Sequence, residues 1–494
     1  MNRTSFFIGN NLFVQIATIC VVGLLLGVVA LFLPPLWTVA VVAGGIFIFA
    51  MVKRPEIGLL GILVATSSIV FEDTLPLLPI GPVGSLHIPD LILIALLILV
   101  FIRWLAEKDS KLIHTPLDLP LFAFYSVALL STIIAINQSS VELVDARRAI
   151  RVITYYLSFF IVTNLVRRDR QILLLLKGIL LLSTLVALMM LAQYFIGTSV
   201  AILPGRVETL TTWGEAYKGI TRILPPGQSI ILVSFITMTI VLVVDRLRPL
   251  DILKIFQWGL LGVGILLTFN RSFWVGVVLA LFLLFYLGEW KDKYRLVKWG
   301  LLLLLFATIV FFGVTSSTEV EAGKLISAAY IRLSTLIKPE TLSEASIQAR
   351  YRENEYAFPQ IASQPLLGLG LGARYRPWDT RLDVNRVDAR GYIHNGHLWL
   401  MLKTGLIGYL FFVWLSITFI FRGFKYWRYS SNSEYRGIVL GFTVTYLVVL
   451  IGAIVNPMLM QWFWTPVIGI MMGVNEVILR EAGLLPQKHS QEKN

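Results

Sequence analysis

Long runs of apolar residues, separated by short polar segments, repeat along almost the whole chain. A run of about 20 apolar residues is long enough for an α-helix to cross the hydrocarbon core of a bilayer. These runs predict about fourteen spans, near residues 12–33, 36–52, 57–70, 88–105, 117–136, 149–166, 171–196, 228–244, 252–268, 271–287, 296–314, 396–421, 437–455 and 458–479. We therefore expect an all-α fold, a polytopic transmembrane helical bundle of about 12–14 spans.

Basic residues fall in every second loop between these spans. Cytoplasmic loops of membrane proteins carry an excess of lysine and arginine, so the basic loops are assigned to the cytoplasm. They contain Lys53 and Arg54; Arg103, Lys108 and Lys111; Arg167, Arg168 and Arg170; Arg246, Arg248 and Lys254; Lys291, Lys293, Arg295 and Lys298; and Arg422, Lys425, Arg428 and Arg436. Both termini are then cytoplasmic, and residues 315–391 form one long external loop, expected to contain short helices.

The spans and loops divide the chain into five parts. We expect N-terminal transmembrane helices in 1–200, central transmembrane helices with an arginine loop in 201–314, and the external loop in 315–393. The C-terminal transmembrane helices follow in 394–480, and 481–494 is a cytoplasmic tail.

The composition excludes a soluble globular protein. Hydrophobic residues make up 57% of the chain and charged residues 14%, with a mean hydropathy of +0.78, which is typical of membrane proteins. The net charge of +13 does not indicate nucleic-acid binding, because the basic residues are scattered through short loops. Cys20 is the single cysteine and lies in the first apolar run, so no intramolecular disulfide or thiolate metal site is expected.

Arginines also accumulate in the predicted external loops, where the positive-inside rule expects few. Arg206 and Arg222 lie in one of them, and residues 315–391 contain nearly equal numbers of basic and acidic residues. Guanidinium groups at helix ends suit an anionic lipid headgroup or a pyrophosphate, which they bind through paired hydrogen bonds. Paired surface charge is the alternative for the arginines of the long loop.

The long loop ends where polar residues pass into an apolar run at 391–408. Numbered from His394, this stretch reads H-N-x9-G-x2-G, with Asn395, Gly405 and Gly408 at the fixed positions. A helix starting at Asn395 places His394 at the membrane edge and both glycines within about 40° of it on a helical wheel. We expect the glycines to form a groove of small residues that another helix or a lipid chain approaches closely.

Arg271 stands between two predicted spans that are joined by almost no loop. Asn270 is placed to cap the following helix. An arginine beside a helix N-terminus adds its donors to the backbone N–H groups and the positive end of the helix dipole, which predicts an anion site without a metal. The alternative is an arginine whose charged end merely reaches the membrane interface.

His397 and Lys403 have structural alternatives. His394 and His397, at i and i+3, could share a metal ion, but the nearest acidic residues, Asp383 and Asp388, precede them in the loop, which makes packing for structure the favoured reading of a second histidine. Lys403 falls on the opposite face of the helix from His394 and is expected to face a neighbouring helix or a wet cavity.

These motifs resemble those of the bacterial O-antigen ligases and their relatives, the O-antigen and exopolysaccharide polymerases. The resemblance is carried by H-N-x9-G-x2-G at 394–408, by R-S-x-x-x-G at 271–276, and by Arg350 followed by the run P-L-L-G-x-G in the long loop. It covers roughly residues 220–420.

The resemblance implies a glycosyltransferase of the bacterial inner (plasma) membrane, active on the external or periplasmic face in the biosynthesis of surface polysaccharide such as lipopolysaccharide. The implied donor is a glycan linked to undecaprenyl pyrophosphate, and the acceptor is a saccharide or lipid-linked hydroxyl. Apart from these substrates, only membrane lipids are expected as partners, and nucleic acid is not.

Inverting transfer from such a donor needs a base for the acceptor hydroxyl and positive charge for the pyrophosphate. His394 is the expected general base. Arg271 and Arg222 are expected to hold the pyrophosphate, so that neither a metal nor any other cofactor is required. Further substrate contacts are expected from Asn395, Arg206, Arg350 and His397.

A lipid-linked-oligosaccharide flippase is the competing interpretation, since many spans with basic loops also suit a transporter. Such a protein is expected to contain two similar halves, and the sequence has no evident internal repeat. A purely structural membrane scaffold is the third interpretation.

Overall fold

The computed structural model describes residues 35–67, 69–70, 77–79, 81, 84–106, 112–209, 220–245, 251–301, 321–334, 345–380, 382 and 388–484. The predicted first span, Cys20 and most of the predicted span 296–314 lie outside these residues.

Helices account for nearly all the regular structure of the described chain. They are α1 (Pro35–Lys53), α2 (Pro55–Thr66), α3 (Ile88–Ala106), α4 (Asp118–Asn137), α5 (Leu143–Thr154), α6 (Ser158–Leu165), α7 (Asp169–Ile196), α8 (Gln228–Val244), α9 (Ile252–Leu267), α10 (Arg271–Leu287), α11 (Glu321–Ser334), α12 (Ala345–Ser363), α13 (Gly396–Tyr426), α14 (Ser433–Gly452) and α15 (Thr465–Glu481). Two short antiparallel hairpins join β1 (Leu78–Pro79) to β2 (Ser85–Leu86) and β3 (Arg206–Thr209) to β4 (Thr221–Leu224).

Five of the described helices are long and apolar enough to cross a membrane: Ile88–Ala106, Asp118–Asn137, Asp169–Ile196, Gly396–Tyr429 and Ser433–Gly452. Several shorter apolar helices lie beside them. The predicted all-α, polytopic membrane fold is therefore confirmed. Between α10 and α13 the structure also contains two helices of the predicted long loop, α11 and α12.

Helix α14 lies at the centre of the bundle, with 78% of its apolar window buried. It packs on α8 through Gly437 and Gly441, where an added Cβ would come within 2.9 Å of Val241 Cα and 2.8 Å of Thr237 Cα. Small residues spaced four apart let two helix backbones approach closely. Close packing of this kind stabilises helix pairs in a membrane, where the hydrophobic effect does not drive helices together. This packing holds α14, whose other end reaches the site, firmly within the bundle.

The predicted single span at 149–166 is not one regular α-helix. The chain forms α5, a 3₁₀ turn at Tyr155–Leu157, and α6, which is only 8 residues long. Arg151 of α5 is too polar for lipid and instead places its Nε 2.8 Å from Asp90 Oδ1. Helix α6 is buried against α15, where Gly473 leaves room for the carbonyl oxygen of Phe159.

Candidate functional site

Helix α13 begins directly after His394 because Asn395 caps it. The Asn395 side-chain oxygen accepts hydrogen bonds from the backbone N–H groups of His397 at 3.0 Å and Leu398 at 3.1 Å. Such a cap satisfies donors that have no partner within the helix. The expected helix start is confirmed, and His394 lies in the turn just before it.

Gly405 interrupts α13, with φ of 64° and ψ of −173°. The loop run at 365–370 lies in this break: the N–H of Leu406 donates to Pro365 O at 2.7 Å, and the N–H of Leu369 donates to Leu402 O at 2.7 Å. A Cβ on Gly405 would lie 2.1 Å from Leu366 O, so only glycine fits. The close approach expected at Gly405 is present, but it is made by the chain's own loop and not by another helix or a lipid chain. Because the helix is broken at Gly405, the angle predicted between Gly405 and His394 on a regular helix no longer applies.

The Lys403 side chain forms its hydrogen bond with this loop and not with His394. Its side chain is 1% exposed, and Nζ donates to Ala373 O. The loop is also held from α4, because Ser131 Oγ donates to Leu367 O at 2.6 Å and to Lys403 O at 3.1 Å. The lysine thus stabilises the loop that leads back toward His394.

His394 is bound to a buried carboxylate. Glu353 of α12 is 4% exposed; its oxygens lie 2.9 and 3.0 Å from His394 Nδ1, and Oε2 accepts the backbone N–H of His394 at 2.8 Å. The ring of Tyr392 packs edge-on against the imidazole, with centroids 5.0 Å apart. Burial raises the pKa of Tyr392, and the charge of Glu353 raises it further. The His394 side chain remains 32% exposed.

His397 has a different environment. Its Nε2 lies 2.8 Å from Leu450 O, and its Nδ1 lies 3.2 Å from the hydroxyl of Tyr409. A carbonyl oxygen can only accept, so Nε2 donates and Nδ1 accepts from the tyrosine. The Nε2 bond holds α13 to α14, and the Nδ1 bond lies within α13, across its break at Gly405.

The end of α14 and the turn after it, residues 450–457, connect the parts of the site. We call this stretch the 450–457 segment. Its hydrogen bonds run from His397 Nε2 to Leu450 O at 2.8 Å, from Gly396 N to Ala453 O at 2.7 Å, from Arg350 Nε to Val455 O at 3.1 Å, and from Asn456 Nδ2 to Ser272 Oγ. The histidine motif, the long loop and the start of α10 therefore meet on one segment.

Arg222 extends from the β3–β4 hairpin toward the same place. Its Nε donates to Thr268 O at 3.0 Å, and its Nη1 lies 3.2 Å from Glu208 Oε1. Burial lowers the pKa of Arg222; Glu208 opposes this shift, whereas Arg206 and Arg350 add to it. Arg206 and Arg350 are therefore close enough to Arg222 for their charges to influence its pKa. Arg206 is mostly exposed and pairs with Glu208 at 2.6 Å.

Arg271 is the first residue of α10. The predicted cap is confirmed, because Asn270 Oδ1 accepts from Ser272 N at 3.3 Å and from Ser272 Oγ at 2.8 Å. Since Thr268 contacts Arg222 and Ser272 contacts Asn456, Arg271 lies between the hairpin and the 450–457 segment. The hairpin with Arg222 is thus linked to the start of α10 through Thr268, and the start of α10 is linked through Ser272 to the segment that also bonds Gly396, two residues after His394.

Among the described residues, no group of three His, Cys, Asp or Glu side chains is arranged to hold a metal ion. Asp383 lies outside those residues. Asp388 pairs with Arg390 at 2.7 Å and Arg374 at 3.1 Å, and the hydrogen bond from Arg390 lowers its pKa. Asp388 is therefore engaged with arginines.

Sequence reasoning missed Glu353 and Asn456. Glu353 lies 41 residues before His394, in a loop helix that also carries Glu355, so no local pattern distinguishes it. Asn456 follows an apolar helix and resembles an ordinary helix-end residue. Only the tertiary structure reveals their contacts.

The fold and this arrangement define an all-α membrane protein with a carboxylate-bound histidine and an arginine cluster at one end of its bundle. No curated protein matches the sequence. Residues 258–413 match the family model described as O-antigen ligase. This match supports membership of the O-antigen ligase and polymerase superfamily and an O-antigen ligase-type function in surface polysaccharide synthesis. The matched range includes Arg271, Glu353 and His394, whereas the β3–β4 hairpin precedes it.

Proposed function

We propose that the protein transfers a glycan from an undecaprenyl-pyrophosphate donor to a sugar hydroxyl of an acceptor on the external face of the bacterial inner membrane. The observation that carries this proposal is His394, which combines a buried carboxylate on Nδ1 with a partly exposed ring. The 450–457 segment ties its helix start to Arg350 and to Ser272, the neighbour of Arg271. A base and an anion site at one end of a membrane bundle suit chemistry on a lipid-linked substrate.

In the proposed reaction, the acceptor oxygen attacks the anomeric carbon of the donor sugar. The bond from that carbon to the pyrophosphate oxygen breaks, and undecaprenyl pyrophosphate leaves as an anion. The acceptor's hydroxyl proton passes to His394. The step is an inverting displacement, balanced without an external oxidant or reductant.

Arg271 and Arg222 are proposed to stabilise the charge that develops on the leaving pyrophosphate. Arg271 adds its guanidinium to the N-terminal end of α10, where the helix dipole already favours an anion. Arg222 is held near the start of α10 by its hydrogen bond to Thr268 O, and Arg350 is held at the 450–457 segment by its hydrogen bond to Val455 O. Arg206 is the outermost member of the group and suits contact with the sugar or the diphosphate from solvent. Positive charge supplied in this way takes the role that a divalent metal has in many phosphate-transfer sites.

Asn395 and His397 are proposed to contribute indirectly. Asn395 uses its side-chain oxygen as the cap of α13, and His397 uses Nε2 to join α13 to α14 and Nδ1 to contact Tyr409 of α13. Asn395 and His397 then help substrate binding by holding in place the preceding turn, which carries His394.

Reconstitution tests the reaction. Purified protein in liposomes is given labelled undecaprenyl-pyrophosphate-linked glycan with either a lipid-A-core acceptor or a second molecule of the lipid-linked glycan. We expect a new glycosidic bond in the presence of excess chelator, because arginines carry the charge. Activity that is lost with chelator and restored by Mg²⁺ or Mn²⁺ rules out the arginine-only account. Movement of labelled donor across the bilayer without any product indicates the flippase instead.

The external face has its own test. Because the basic loops orient the spans, a reporter fused at about residue 340, in the middle of the long loop, should be active only outside the cytoplasm. Reporters at both termini should be active only inside. Cytoplasmic activity at residue 340 would remove the site from the face on which the donor is proposed to be presented.

A further inference from the structure

We propose that Glu353 is a positioning residue that fixes the tautomer of His394, and that Nε2 is consequently the nitrogen that takes up the acceptor's proton. The tautomer itself follows from the contacts of His394. Only the identification of the acceptor hydroxyl as the source of the proton rests on the proposed function. Glu353 is 4% exposed, and within the described chain the hydrogen bonds of its carboxylate all go to His394.

The tautomer follows from the donors and acceptors present. An ionised carboxylate can only accept hydrogen bonds. Oε2 accepts the backbone N–H of His394 at 2.8 Å, and Nδ1 lies 2.9 Å from Oε1. Nδ1 must then carry a hydrogen to make this contact. In a neutral imidazole with Nδ1 protonated, Nε2 has the lone pair, and no described residue forms a hydrogen bond to it.

His397 provides a contrast within the same helix turn. Its Nε2 donates to a carbonyl oxygen, so the lone pair is on Nδ1, where the hydroxyl of Tyr409 occupies it. The two histidines are three residues apart, yet they adopt opposite tautomers, and only His394 keeps a nitrogen available for a substrate. The difference is set by the partner, a carboxylate in one case and a carbonyl in the other.

The carboxylate is itself held in place. Arg350, one turn before Glu353 on α12, donates Nε to Val455 O at 3.1 Å, while Gly396 is tied to Ala453 of the same segment at 2.7 Å. Both partners of the histidine–carboxylate pair are thus anchored to the 450–457 segment. Tyr392 packs edge-on against the ring. Among the described residues, Glu353 bonds His394 directly, and Tyr392 packs against its ring; Glu353 and Arg350 both influence the pKa of Tyr392.

This arrangement separates the roles of the two side chains during the reaction. The acceptor's O–H bond breaks as its proton moves to Nε2, which converts the ring to imidazolium. Glu353 stabilises that cation through the Nδ1 hydrogen and does not itself take the proton. The proton leaves to solvent afterwards, through the exposed part of the ring.

Glutamine at position 353 tests the inference because it reverses one contact. The amide oxygen keeps the backbone N–H of His394, so the amide NH₂ faces Nδ1 and donates to it. We expect Glu353→Gln to shift neutral His394 to the Nε2-protonated tautomer. Turnover should fall roughly 10²- to 10⁴-fold, the range for loss of a correctly held base, with the KM for donor nearly unchanged. Glu355→Gln is the matched control, because Glu355 is exposed on the same helix, and it should leave both readouts unchanged.

Nitrogen-15 NMR of selectively labelled histidine reads the tautomer directly. The chain has 5 histidines, few enough to assign His394 by comparison with His394→Gln. Spectra are recorded well above the ordinary titration range of imidazole. A wild-type His394 protonated at Nε2 overturns the inference even if the Glu353 variant does not fold, and so does a folded Glu353→Gln protein with normal turnover. A tautomer shift in a protein that forms no glycosidic bond supports the positioning of the ring and counts against the proposed function alone.

Discussion

We expect glycan transfer to fall roughly 10²- to 10⁴-fold when His394 is replaced by alanine, the usual effect of removing a proton acceptor. The loss appears in turnover, because the acceptor hydroxyl is no longer deprotonated as it attacks. Donor binding is retained, since the arginine cluster is anchored through Thr268 and Val455 independently of the imidazole. Initial rates and binding of labelled donor, measured in liposomes with donor and acceptor on the same face, check both statements.

His397→Ala is the control for this prediction. It removes the bonds to Leu450 and Tyr409 and loosens α13 against α14, so we expect a lower yield or thermal stability, with a much smaller loss of turnover per folded molecule. Equal rates for wild type and His394→Ala would remove His394 from the mechanism. A loss in His397→Ala as large as that in His394→Ala would show that helix placement, and not proton transfer, limits the reaction.

Arg271→Ala is expected to lower turnover roughly 10²- to 10³-fold, as for the loss of one donor that stabilises a developing anion. Unlike the histidine variant, it should also weaken binding of the lipid-linked donor, because the diphosphate is already charged before reaction. Arg271→Lys should recover only part of the activity, since an ammonium group cannot reproduce the paired geometry of guanidinium. Donor KM and turnover are measured for each variant.

Arg148→Ala is the matched control for Arg271. Arg148 belongs to α5, its side chain is 70% exposed, and its pairing with Asp145 is loose at 3.7 Å. A surface pair of this kind contributes little, so activity should not change. Full activity in Arg271→Lys would mean that a point charge suffices and would contradict paired binding of the diphosphate by this residue.

The features predicted correctly from the sequence are those determined by neighbouring residues. The cap at Asn270 and the helix start at Asn395 depend on side chains that bond the next turn of their own helix. The apolar runs predict the membrane helices because the length and hydrophobicity of a span are also determined by neighbouring residues. The break in the helix at 149–166 was not predicted because an apolar window does not register that Arg151 has a distant partner in Asp90.

The central pair of the candidate site could not be predicted because it depends on packing. Glu353 reaches His394 only after α12 folds back onto the start of α13, and neither spacing nor composition encodes that direction. Likewise, the small-residue groove was foreseen at Gly405, but its occupant at 365–370 was not, since a glycine indicates close approach without naming the partner.

The contact of the loop with both α4 and α13 bears on the order of events during biosynthesis. Ser131 bonds Leu367 and Lys403, which lie 236 and 272 residues further along the chain. The loop therefore docks only after α13 has left the translocon, late in translation. A growing chain that ends before α13 therefore contains Arg222 and Arg271 but not the histidine–carboxylate pair, which is completed only when His394 has been added.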